Sequence, residues 1–299
     1  MLNSRGLSGH YRRTGYSHSA GGRLVEGQNF LHVGEAHQSA RQEDVSPALV
    51  EAIRWSFEKA RNNVPLVSGK YQVILTPRAT AAVLGPVLAS LNGQALERGV
   101  SPFVAKQGQT LFDPRISLED DALLPWGPGS RAMDDEGVPA RRKPLVERGT
   151  IRNFFLDLAT AQALGEEPNG SARRTAGIPA PGPTNLLMLP GQRSYGEMIG
   201  SLGQGFLIDM LMGAWAGNPY GGSVSGNVML GYKIEDGQVV GRIKDTMCSV
   251  NAFQALKEQV VELSRERKWE SAGGPNAPGG SLYLPYLWLD GVSISTRQG

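Results

Sequence analysis

Apolar positions recur along this chain with two different periods. After Ser46-Pro47, residues Leu49, Val50, Ile53, Phe57 and Ala60 repeat at helical spacing. Residues 47–62 therefore read as an amphipathic helix, with Ser46 as N-cap and Pro47 in the first helical position. A second helix is expected over 251–264. Shorter helices are expected over 157–164, stopped by Gly165, and over 195–202. Alternating or short apolar runs predict strands at 23–37, 71–75, 144–146, 150–156, 206–215, 227–235, 238–243, 281–289 and 292–295. Glu147-Arg148-Gly149, Asp236-Gly237 and Asp290-Gly291 read as hairpin turns between them. Residues 1–22 lack clear periodicity, 99–126 and 166–183 read as loop, and 186–189 should be buried. The run ILTPRATAAVLGPVLASLNG (74–93) is a strand end leading into an apolar helix that Pro86 should kink or shorten. Helices and strands do not alternate regularly. The expected class is α+β: a large, mostly antiparallel sheet carrying a few helices.

Composition narrows the picture. At 299 residues and 40% hydrophobic content, the chain can bury a sizeable core without a disulfide or structural metal. Its 39 glycines and 19 prolines are spread along its length, which suits a turn-rich β fold better than a helical bundle. The single Cys248 has no partner within the chain, and residues 1–13 hold no apolar signal segment. The longest apolar stretch, 206–216, is too short to cross a membrane. A cytoplasmic location is the base expectation. A net charge of +2 gives no basic stripe for nucleic acid.

Candidate chemistry is sparse. His10, His18, His32 and His37 all lie in the first forty residues; pairing them with Glu26 or Glu35 matches no metal-ligand spacing. DTMCSV supplies no base beside Cys248, so a buried, inert thiol is expected. Asp134, Asp135 and Glu136 are adjacent carboxylates, but Gly137-Val138-Pro139 marks a structural turn. Arg141, Arg142 and Lys143, and separately Arg173 and Arg174, read as solvated faces or ion-pair partners. Gly217, Gly221, Gly222 and Gly226 lack the order of a phosphate loop and read as tight turns. Met210, Met212, Trp215 and Tyr220 form a stripe suited to core or to a subunit interface.

Several runs together resemble the TldD/PmbA family, the modulators of DNA gyrase. They are NSRGLSGHYRRTGYS (3–17), DDEGVP (134–139), LVERGTIRNFFLDLATAQALG (145–165), NGSARR (169–174), PAPGPTN (179–185), MGAWAGNPYGGSVSGNVMLGYKIEDGQVV (212–240) and GRIKDTM (241–247). Order and spacing carry the likeness; no single motif does. The resemblance implies a barrel-like sheet, with 1–70 as a central-region segment packed on a β-rich C-terminal domain, 71–299. The family's N-terminal α/β domain has no counterpart here.

Zinc-binding members of that family carry His-Glu-x-x-x-His on the helix that corresponds to 74–93, and a Cys in a late glycine-rich loop. The matching positions here are Gly85, Pro86, Ser90 and, at or near the Cys, Gly279. No His, Asp, Glu or Cys occurs from 76 to 96. Zinc lowers the pKa of bound water from 15.7 to about 7, an activation worth on the order of ten kcal/mol. The resemblance thus implies a PmbA/TldE-like subunit without catalytic residues or metal of its own, joined to a TldD-like subunit that holds zinc and cuts short or unfolded peptides. It implies cleft or interface roles for Asp134, Asp135, Glu136, Arg173, Arg174, Asn185, Met212 and Asn218. A stand-alone scaffold, as a homodimer, and a cryptic hydrolase using other residues are the alternatives.

Overall fold

The computed structural model describes residues 6, 8–27, 29–174, 177–271 and 280–296. Its first elements, β1 (Tyr16–Glu26) and β2 (Asn29–Ser39), pair antiparallel as a two-stranded sheet of their own. β1 begins within the stretch expected to lack periodicity; nearly all of it is exposed, so no burial alternation marks it. Helix α1 (Pro47–Ala60) starts as expected, with the Ser46 Oγ accepting from the Ala48 N–H.

β3 (Gly69–Leu75) runs through the N-cap Thr76 into α2 (Pro77–Ser90). Pro86 neither shortens this helix nor stops it. Gly85 precedes the proline and has no Cβ for the ring to meet, so the usual clash with the preceding residue is absent. Only the one backbone bond that the proline cannot donate is lost. Val83, Leu84, Val87 and Leu91 are at most 1% exposed, and each such burial contributes about 1.5–3 kcal/mol.

Next come α3 (Gly93–Glu97), β4 (Leu118–Asp121), β5 (Arg142–Glu147) and β6 (Thr150–Ile151). Arg148 and Gly149 form the turn between β5 and β6 at positive φ, where the sequence places it. α4 (Leu158–Leu164) opens on a capping box from Asp157 and ends on left-handed Gly165. β7 (Ala172–Arg173) and β8 (Ala180–Pro181) pair inside the segment expected to be loop. β9 (Asn185–Met188), α5 (Tyr195–Ser201), β10 (Gln204–Met212), β11 (Ser223–Glu235) and β12 (Gln238–Arg242) follow, with β11 and β12 meeting across Asp236-Gly237.

The C-terminal third departs from expectation twice. β13 (Thr246–Asn251) is followed by one helical turn, α6 (Ala252–Gln254), and a π turn over Ala255–Gln259. The chain then extends as β14 (Val260–Ser271), so the helix expected over 251–264 forms only over 252–259. Asp290-Gly291 is not a hairpin turn either. It is an irregularity inside one strand, β15 (Ser281–Thr296), with Gly291 at φ 73°.

Five strands close into a ring: β3 pairs with β15, β15 with β13, β13 with β11, β11 with β10, and β10 with β3. β12 and β14 attach to the ring, and β9, β4, β5 and β6 extend the sheet from β15, giving eleven strands in all. The pairings are antiparallel except β3–β10 and β9–β15. This is the α+β, mostly antiparallel, barrel-like sheet that was expected.

Strand alternation separates two cores. Val73 and Leu75, Phe206 and Ile208, and Leu287 and Leu289 pack with α2. Ile74, Leu207, Tyr232 and Trp288 point the opposite way, and α1, α5 and β2 supply the other side of that second core.

Candidate functional site

Helix α2 is where the sequence predicts a vacated metal site. A Cβ added at Gly85 would meet nothing within 4 Å, so a side chain has room there, but none is present. Pro86 is buried and offers no ligand atom. The Ser90 hydroxyl donates to the Pro86 carbonyl at 2.8 Å, and Ser101 Oγ donates to the Ser90 carbonyl at 2.6 Å. These residues do not fit a zinc ion: none presents a charged or imidazole ligand, and the one hydroxyl is turned back onto its own helix. Gly279 lies outside the described residues.

Other donors do not replace them. Cys248 is 2% exposed on β13, and burial pushes its thiol up to about 12, far from a reactive thiolate. His18 and His37 face one another across β1 and β2 and bond the Glu43 carbonyl and carboxylate at 2.9 and 3.0 Å. Among the described residues no group of three or more His, Cys, Asp or Glu is arranged to hold a metal.

A concavity lies elsewhere, on the second core's side. A cavity of about 530 Å³ opens between α1, β2, the start of α2, α5 and strands β10, β11, β14 and β15. Arg78, in the first turn of α2, reaches into it. Its Nη2 donates to the Gly34 carbonyl at 3.1 Å and its Nη1 to Asp209 Oδ2 at 3.4 Å. Glu35 and Glu270 stand at 3.9 and 4.0 Å, beyond hydrogen-bond reach. Asp209 also accepts from Thr76 Oγ1 at 2.8 Å.

Burial works to lower the Arg78 pKa, but Asp209, Glu270 and Glu35 together raise it, so the guanidinium stays charged. Lys268 enters from β14, also held charged: burial lowers its pKa, and Tyr286, Glu35 and Asp209 raise it further. Tyr195 and Tyr286 stack with centroids 4.0 Å apart, and Trp55 lies against Tyr232 at 5.2 Å. Burial raises the pKa of Tyr195, Tyr232 and Tyr286, so all three remain protonated.

Glu270 is pushed up to about 7, first by burial and then by Asp209 and Glu35, against the opposing pull of Arg78 and Lys268. Its folded pKa therefore lies above its unfolded one. The resulting stability is fully present below about pH 4.5 and is lost as pH rises through about 7. Stability of the wild type should fall by on the order of 2–3 kcal/mol between about pH 4.5 and about pH 7.5, and Glu270→Gln should flatten that slope. Urea unfolding at several pH values tests this; equal slopes in both proteins would refute it. The site was not legible in sequence, because Glu35, Arg78, Asp209 and Glu270 come from four separate elements with no shared motif.

The residues singled out from the sequence sit apart from this cavity. Asp134 is 1% exposed and accepts three backbone N–H bonds, from Glu136, Val138 and Ala172, at 2.9–3.0 Å. Asp135 accepts from the Arg174 backbone at 2.6 Å, and Glu136 from Leu158 at 2.8 Å. Burial raises the Glu136 pKa. Arg173 bonds the Pro183 carbonyl and Arg174 that of Gly177. Asn185 is fully buried, bonding Gly129 N and the Asp121 carbonyl, both at 2.7 Å. Met212 is 53% exposed at the end of β10, and Asn218 is exposed, capping the 3-10 turn Pro219–Gly221.

The closed five-stranded ring and the apolar helix behind it make up a domain with known counterparts. Residues 68–296 match the family model for the PmbA/TldA metallopeptidase C-terminal domain, and the chain belongs to that family. TldE from Thermococcus kodakarensis superposes with a TM-score of 0.85 at 25% identity, over 94% of this chain and 63% of that one. A metalloprotease TldD homolog from Buchnera aphidicola subsp. Acyrthosiphon pisum is 27% identical over 92% of this chain and 58% of its own length. A zinc metalloprotease TldD homolog from Saccharolobus solfataricus is 21% identical, over 78% and 55%. This chain thus spans less than two thirds of each of these relatives. No helix among the described residues is long and apolar enough to cross a membrane.

Proposed function

We propose that this chain is a non-catalytic, TldE-like subunit of a two-component zinc metallopeptidase acting on short or unfolded peptides. What supports it is helix α2: by the family resemblance Gly85 and Ser90 correspond to the two histidines and Pro86 to the glutamate between them, and the Ser90 hydroxyl is bonded to its own helix. A catalytic zinc needs three protein ligands and one open position for water. Nothing on α2 supplies any of them. The zinc belongs to the TldD-like partner, and this chain completes the chamber around the peptide.

Not all of the residues proposed for cleft or interface serve that contact equally. Asp134 and Asn185 are buried and spend their polar atoms on their own loops, so they shape the surface from beneath. Arg174, Met212 and Asn218 are exposed and meet the partner or peptide directly.

The test is to measure zinc and hydrolysis of an unstructured peptide, for this chain alone and after co-expression with a TldD-like protein. The expected result is no stoichiometric zinc and no cleavage alone, with chelator-sensitive cleavage by the pair. Stoichiometric zinc or cleavage by the chain alone would overturn the reading.

A further inference from the structure

The cavity around Arg78 has no place in the proposed role of helix α2, yet it is built as a binding site. Its volume, about 530 Å³, lies within the range of small-molecule pockets. Its hydrogen-bond account is lopsided. Two of the Arg78 donors serve Gly34 and Asp209. Glu35 and Glu270 accept no hydrogen bond among the described residues, and their nearest cations stand at 3.9–4.0 Å. The cavity therefore presents two carboxylates with free acceptor oxygens beside its three cations, Arg78, Lys268 and Lys59. Four aromatic rings complete the wall, an arrangement that favours a cation over an anion.

We propose that this cavity binds a primary ammonium group carried on an apolar or aromatic body, with Glu35 and Glu270 accepting its N–H donors and Trp55, Tyr195, Tyr232 and Tyr286 enclosing the body. The ammonium enters between carboxylates that Arg78 approaches but does not bond. The proposal is independent of the subunit reading, since none of these side chains lies at the vacant ligand positions.

Calorimetric titration of the full chain with tyramine tests it. Tyramine should bind, and 4-hydroxyphenylacetate, with the same ring and the opposite charge, should bind at least about tenfold more weakly. Loss of a charge-assisted hydrogen bond in Glu270→Gln should weaken tyramine about ten- to a hundredfold. Glu35→Gln gives a second, independent variant, and Glu147→Gln on β5 should leave binding unchanged. Between about pH 6 and about pH 8 the affinity should rise as Glu270 ionises, facing Arg78, Lys268, Lys59, Glu35, Asp209 and Tyr286, while an alkyl amine stays charged.

Tyrosyl-alanine and its N-acetylated form separate the two sources of such a group. A free dipeptide that binds at least as well as tyramine, with the acetylated form inactive, assigns the amino terminus of a peptide. Tyramine alone binding assigns a free amine. Absence of binding by both tyramine and the free dipeptide, equal binding of 4-hydroxyphenylacetate, or full affinity in both carboxylate variants overturns the proposal.

Discussion

Lys143→Met is expected to destabilise the fold by about 3–5 kcal/mol, seen as a lower urea midpoint at an unchanged slope. Lys143 is 4% exposed on β5, and its ammonium lies 2.9 Å from Asp120 Oδ2 on β4. Asp120 is fully buried. Its other oxygen accepts from the Thr184 N–H and hydroxyl at 2.7 and 2.9 Å, tying the approach to β9 onto β4. Removing the lysine leaves a carboxylate in the interior without its ion-pair partner, and that desolvated charge is the larger cost, not the lost bond. The double variant Lys143→Met with Asp120→Asn should therefore be more stable than Lys143→Met alone. A double variant no better than the single one would show that lost packing, not the stranded charge, sets the cost.

Gly149→Ala should cost about 2–4 kcal/mol, although it adds a single methyl group at a turn. Gly149 sits at φ 79°, and an added Cβ would lie 2.1 Å from the Phe112 carbonyl oxygen. The neighbouring backbone cannot easily yield. Gly149 N donates to the Ile116 carbonyl at 2.8 Å, and its own carbonyl accepts from Leu111 and Phe112. Gly165→Ala is the control, since that glycine has a similar φ of 70° but open space around its Cβ. It should cost only about 1 kcal/mol, the strain of the left-handed conformation alone. Thermal unfolding of both variants gives the comparison; equal losses would mean that the close approach to Phe112 is relieved at no cost.

The elements legible in the sequence were those fixed by local chemistry. Ser46-Pro47 begins α1, Asp157 and Gly165 bracket α4, and Asp236-Gly237 joins β11 to β12. The misread elements are those decided by distant partners. Residues 260–264, expected to end a helix, are extended because β15 offers pairing along β14 from Val260 to Ser271. Asp290-Gly291 has the residues of a hairpin turn. β3 pairs with β15 on both sides of it, through Val73 and Tyr71, and so holds the strand on one course with a local irregularity. The lack of ligand side chains on α2 is a matter of residue types within one short segment, and its reading as a vacated site comes from the family resemblance. The Arg78 cavity was not legible, because only the tertiary fold brings β2, β10 and β14 to the same helix end.

The place of β15 has a consequence for biosynthesis. This strand pairs with β3, β9, β13 and β14, all of which leave the ribosome before it. At about 5–20 residues per second, translation separates Leu75 from its partner Leu287 by on the order of 10–40 seconds. Through that interval the nascent chain carries β3 with an open edge and the apolar flank of α2 without its cover, joined near its end by β13. The ring closes only after release of β15, which makes the growing chain a client for chaperones that shield unpaired strands.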